Sequence, residues 1–192
     1  MLKHIGDKLI FRMSGSNPDL RDKVVANRGT FKKLELLVPG LKEYRNLEDV
    51  RAADQLLRKQ VSDKLNDVKT KMESLRKLMS DKEDFNNITT VGALISQVQQ
   101  VIGEVQHAQQ GSAGISPNIR IDQSVLNKLY EYDYNFVNTA EQLYLISSAS
   151  VNEYFSGTSP QGSIFKMTSM ISDFKHAWKQ RLESVEDILI TK

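Results

Sequence analysis

The chain has no cysteine, only four prolines and a single tryptophan among its 192 residues. Without thiols there is no disulfide framework, no thiolate nucleophile and no zinc site built on Cys, and the compartment leans to the cytoplasm. No apolar run approaches the roughly 20 residues that a membrane-spanning helix needs. The N-terminus also lacks the unbroken apolar core of a secretory signal. A strand would show as alternating apolar residues bounded by turn signals, and a solenoid as a repeat; neither pattern is present. A cytoplasmic, all-α protein is therefore expected, with peripheral contact to the inner face of a membrane as the one membrane option.

What the sequence has in quantity is apolar residues at helical spacing. From Val50 they recur at Leu57, Val61, Leu65, Val68, Met72, Leu75 and Met79, steps of three and four that place them on one face of a helix. Asn46 supplies an N-cap, Glu48 and Asp49 put negative charge on the first turn, and no proline or glycine follows before Lys82. At 1.5 Å per residue this helix is roughly 50 Å long, too long to bury its stripe without partners of similar length.

Those partners are legible on both sides. Asn17-Pro18-Asp19 starts an earlier helix with the stripe Leu20, Val24, Phe31, Leu34 and Val38, ended by Pro39-Gly40. Ile88, Val91, Leu94, Ile95, Val98, Val101, Ile102 and Val105 form the next stripe, opposite a face of Gln and Ser with few charges. Such a face suits a helix with little open water around it, or one that touches another chain. After the Gly- and Ser-rich stretch 111–117, Asp122 is expected to cap a helix running to about Phe155 through Leu126, Leu129, Phe136, Val137, Ala140, Leu143 and Tyr144. Ser163 is expected to cap the last, with Ile164, Met167, Ile171, Phe174, Trp178, Leu182, Val185 and Leu189. Trp178 and the phenylalanines are read as packing residues. The prolines all fall at helix starts or between helices, where their cost of about 3 kcal/mol inside a helix is avoided.

The architecture this implies is an elongated, mostly antiparallel bundle of four to five long helices spanning residues 17–192, preceded by a short amphipathic N-terminal helix and joint over residues 1–16. In that N-terminal segment Leu2, Ile5 and Leu9 lie among Lys3, Lys8 and Arg12, a candidate contact to a protein partner or to an anionic membrane surface.

Charge adds little. The net value of +2 divides into an excess of cations before residue 85 and of anions after it, but both signs are interleaved, so nucleic acid is disfavoured as a partner. Glu104 and His107, three apart, have the spacing of two ligands of a di-iron carboxylate site in a helix bundle. The other histidines, His4 and His176, have no Glu three positions earlier, so the set is incomplete and no metal or cofactor is expected. Arg51, Asp54 and Arg58 form a second constellation: one carboxylate three residues from one guanidinium and four from the other, either an anion site or an ion cluster that fixes helix register. In Tyr130-Glu131-Tyr132-Asp133-Tyr134, at most two tyrosines should face the core.

The segment Leu37-Val38-Pro39-Gly40-Leu41-Lys42-Glu43-Tyr44, followed by Arg51-Ala52-Ala53-Asp54-Gln55-Leu56-Leu57-Arg58, resembles a pattern in a family of uncharacterised prokaryotic helical proteins. It brings no catalytic residues. The plan of a basic amphipathic N-terminus before long helices is similar in architecture to phage-shock-protein-A and ESCRT-III-like membrane remodellers. The expected function is a non-enzymatic scaffold or adaptor whose partner is another protein or a second copy of the chain. The alternative is a bundle that encloses a small apolar ligand or cofactor, as an enzyme would.

Overall fold

The structure is a computed structural model that describes residues 29, 32–40, 50–107 and 123–190, with side chains left undescribed at 50–53, 123–129 and 184–190. The expected N-terminal amphipathic segment, the helix start at Asn17, the caps at Asn46 and Asp122, and the loop at 111–117 lie outside these residues. So do the side chains of Leu126, Leu129, Val185 and Leu189.

The described chain is helical and carries no strand. A short helix, α1, covers residues 32–37, followed by α2 (Val50–Asp81), α3 (Phe85–His107), α4 (Gln123–Phe155) and α5 (Gln161–Ile190). The stripes read from the sequence are the core. Every α2 stripe residue from Leu57 to Met79 is buried, as are Val91 to Val105 in α3 and Ile164, Met167, Ile171, Phe174 and Trp178 in α5. Leu34 and Val38 join the same cluster, which anchors α1 to the bundle.

Spatial order follows from which helices touch. α2 packs on α3 and α4, and α5 packs on α4 and α3; α2 and α5 therefore face each other across one diagonal, and α3 and α4 across the other. Chain direction alternates along the sequence, yet two of the four neighbouring pairs are parallel. Along α2 and α4, Lys64 meets Glu141 and further on Lys82 meets Tyr154. Along α3 and α5, Asn87 meets Gln161 and later Glu104 meets Lys175. The connection from α3 to α4 thus joins diagonal helices, which explains why it is the longest between the long helices.

The two hairpin turns use the same device. After α2, the Asp84 amide donates to the Met79 carbonyl and the Glu83 amide to that of Ser80; after α4, Thr158 donates to Glu153 and Gly157 to Tyr154. In each, the residue past the helix end takes a positive φ, 86° at Gly157 and 57° at Glu83. That conformation closes the orphan carbonyls of the last turn but is costly for a residue with a Cβ.

Three local expectations are corrected. α5 begins at Gln161, where the Pro160 carbonyl accepts the first helical bond from Ile164. Ser163 is therefore inside the first turn, and its hydroxyl donates to Glu153 instead of capping. Tyr130, Tyr132 and Tyr134 are all half-buried against the core, more than the two allowed for. Of the phenylalanines, Phe136 and Phe174 are core, whereas Phe85, Phe155 and Phe165 are 70%, 77% and 78% exposed. Phe165 directly follows Ile164, which already takes the inward position, so a turn of about 100° carries the ring outward.

Candidate functional site

The residues with most chemistry gather near the end of the bundle where α2 and α4 begin and α5 ends. Asp54 accepts from Arg58 one turn further along α2, Oδ2 to Nη2 at 2.9 Å, which is half of the arrangement expected from sequence. The side chain of Arg51 lies outside the described residues. A further guanidinium on Asp54 arrives from across the bundle: Arg181 Nη2 of α5 donates to Asp54 Oδ1 at 2.6 Å. Its Nε donates to Asp133 Oδ1 of α4 at 2.7 Å. One arginine thus ties three helices together.

The Arg181 side chain is 6% exposed, and the carboxylates it holds are 13% and 15% exposed. Its guanidinium lies over the Trp178 ring, 5.3 Å from the centroid. Below, Phe136 meets Trp178 edge-on at 5.2 Å and Phe174 tilted at 5.0 Å. The ion cluster therefore rests on a floor of aromatic rings, which excludes water and strengthens each pair.

Burial pushes the Asp133 carboxyl up from the usual carboxylate range, and the Asp54 charge adds to this, against the opposing pull of Arg181. For Arg181, burial works against its charge, but Asp133 and Asp54 together outweigh it and hold the guanidinium above its ordinary range. Asp54 and Asp133 divide Arg181 between them, and Arg58 pairs with Asp54. An arginine already divided between two carboxylates is poorly placed to take an external anion, and the geometry suits a register lock between helices.

Other candidates stand apart. Glu104 accepts from Gln100 at 3.0 Å and pairs with Lys175 at 3.4 Å, while His107 is exposed. Among the described residues no group of three His, Cys, Asp or Glu side chains could hold a metal ion. A cleft of about 330 Å³ lies where α1 meets α2 and α4, lined by Leu37, Pro39, Val61 and Ala140 but also by Asp63, Lys64, Asp67 and Glu141. It is open to solvent and four charged side chains stand among its walls, unlike the closed site that buries most of a small apolar ligand.

The outer side of α3 is the reverse of the ion cluster. Its only Asp, Glu, Lys or Arg is Glu104. Asn86, Thr89, Thr90, Ala93, Ser96, Gln97, Gln99 and Gln100 are all exposed, so about 20 Å of helix faces outward without a charge. The sequence shows this neutral face directly, whereas nothing local in it marked Asp133 or Arg181. Among the described residues no helix is long and apolar enough to cross a membrane. No family model matches this chain, and neither a curated protein nor a solved structure matches it.

Proposed function

We propose that this chain is a non-enzymatic helical scaffold or adaptor that meets other protein through the outer surface of its bundle. The observation that carries this reading is the uncharged outer side of α3 in a molecule whose buried ionisable cluster is occupied by its own members. A solvated helix normally carries charge on its outer face, and depletion of charge marks the centre of protein interfaces.

A photo-crosslinking residue at Gln97 of α3, compared with one at Lys77 on the charged outer side of α2, tests the reading in cells of the source organism. Protein adducts are expected from position 97 and not from 77; absence of adducts from position 97 contradicts it.

Peripheral attachment to anionic membrane, through Leu2, Lys3, Ile5, Lys8, Leu9 and Arg12, belongs to the same proposal and rests on the pattern of the first thirteen residues. Co-sedimentation with anionic liposomes is expected for the full chain and lost on deleting residues 1–13. Equal recovery in the supernatant for both removes this part.

A further inference from the structure

The occupant of the α3 face follows from how α3 and its neighbour α5 sit together. Gln161 and Lys175 mark the side of α5 that turns toward α3, since they bond to Asn87 and Glu104. One turn from these residues on the same flank lie Phe165 and Ser172, with Ser169 and His176 completing the row; Phe165, Ser169, Ser172 and His176 are all exposed. On α3, the residues sharing the flank of Glu104 are Thr90, Ala93, Gln97 and Gln100, at helical spacing from it. Two parallel helices therefore offer one continuous strip that is free of Asp, Glu, Lys and Arg from Asn86 to Gln100 of α3 and from Gln161 to Ser172 along the α5 row, with Glu104, Lys175 and Lys179 gathered toward its other end. At its head stands Phe165, 78% exposed. Lys166 and Asp173, both exposed, border it on the outer edge of α5.

We infer that this α3–α5 strip is the interface through which two copies of the chain pair about a two-fold axis. This deepens the scaffold reading and rests on it. Residues that lie on such an axis meet their own counterparts, and with the axis passing at Gln97, midway along α3, a charged side chain there would face a like charge. The strip avoids that conflict, whereas the outer side of α2 would bring Lys77 toward Lys77. The lack of charge also offers nothing to select a foreign partner by complementarity. α3 is about 35 Å long and two adjacent helices are about 20 Å wide, so the whole face, of which the neutral stretch of about 20 Å is the larger part, covers roughly 700 Å² per copy, near the standard size for a stable interface. A charge-poor stretch with an exposed aromatic at its head, bordered by charged residues, is in keeping with the charge depletion and aromatic enrichment of such interfaces.

Light scattering on the full chain tests this. The wild type is expected at twice its 21.8 kDa mass at micromolar concentration, and a monomer at several hundred micromolar overturns the inference. Gln97→Glu and Gln97→Lys, each at an exposed position without a packing role, are each expected to weaken pairing by roughly tenfold or more. Mixing the two variants is expected to restore the dimer as a heteropair, since opposite charges now meet at the axis. Unchanged pairing in either single variant, or no recovery on mixing, overturns it. Lys77→Glu is the control and should leave the dimer intact; loss of pairing there places the interface elsewhere and also overturns the inference. Circular dichroism on each variant verifies that the bundle is folded, and should one Gln97 variant fail this, the same exchange at Ser169 replaces it. If the wild type is monomeric yet crosslinks through Gln97 to a different protein, self-pairing falls and the scaffold reading stands; if position 97 yields no adduct of any kind, both fall.

Discussion

α2 and α3 are the two arms of one hairpin, and they bury their stripes equally well: Leu57 through Met79 on one arm and Val91 through Val105 on the other. Outside, they have almost nothing in common. α2 carries thirteen Asp, Glu, Lys or Arg residues, with Lys59, Asp63, Glu73, Arg76, Lys77 and Asp81 facing water, while α3 carries one. Folding demands the inner stripe and is nearly indifferent to the outer face, because exposed ion pairs contribute only about 0–1 kcal/mol. The absence of charge on α3 is therefore not explained by the stability of the bundle, and the proposed external contact is the reading that accounts for it.

The comparison also separates charge that holds the fold from charge that only solvates it. On the inner flank of α2, Asp54 and Arg58 belong to the cluster closed by Arg181. Arg181→Met, which takes from Asp133 the guanidinium that neutralises it and leaves Asp54 with Arg58 alone, should cost about 3–5 kcal/mol in chemical denaturation. Replacing Asp54, Arg58, Asp133 and Arg181 together by apolar residues of similar volume should be far less harmful, from neutral to about 1–4 kcal/mol stabilising. If the quadruple variant is as damaged as Arg181→Met, the cluster contributes more than a mutual neutralisation of its members.

Asp133 gives the same distinction a pH signature. Its pKa is raised in the fold above the ordinary value of 3.8, so the folded chain holds that proton to a higher pH than the unfolded chain does. The stabilisation it supplies is full below the ordinary value and is lost as pH rises through the raised folded value. Relative to Asp133→Asn, the wild type should thus lose stability as pH increases across this window. A gain across the same window contradicts the burial of that carboxyl.

The two hairpin turns set up a smaller contrast. Glu83 takes the left-handed conformation that Gly157 takes at the equivalent place, so Glu83→Gly should stabilise by up to about 1 kcal/mol, read as a higher denaturation midpoint. Smallest of all, Lys59→Ala breaks an exposed pair with Asp63 at 2.8 Å and should change stability by less than about 0.5 kcal/mol.

How much of this could be read beforehand depended on the range of the interaction. The stripes of α2, α3 and α5 were legible because helical periodicity is local, and so was the pairing of Asp54 with Arg58, one turn apart. The places of Arg181 and Asp133 in the cluster were not, since Arg181 lies 127 residues from Asp54 and 48 from Asp133 along the chain. In α4 the buried row includes Ser147 and Ser150, which satisfy their hydroxyls on the carbonyls of Tyr144 and Ile146 within the same helix. Buried serines leave an apolar count blind to that row. The exposed ring of Phe165 was available from phase, because Ile164 had already claimed the inward direction, but composition alone classed it as core.

The most direct test uses the chain's freedom from cysteine. Single cysteines placed at Gln97 on α3 and at Lys77 on α2 are each treated with a short bismaleimide at micromolar protein. Covalent dimer is expected in high yield from position 97 and at background level from position 77. Equal yields at the two positions, or none at 97, would mean that the neutral side of the hairpin is not where the molecule makes its contact.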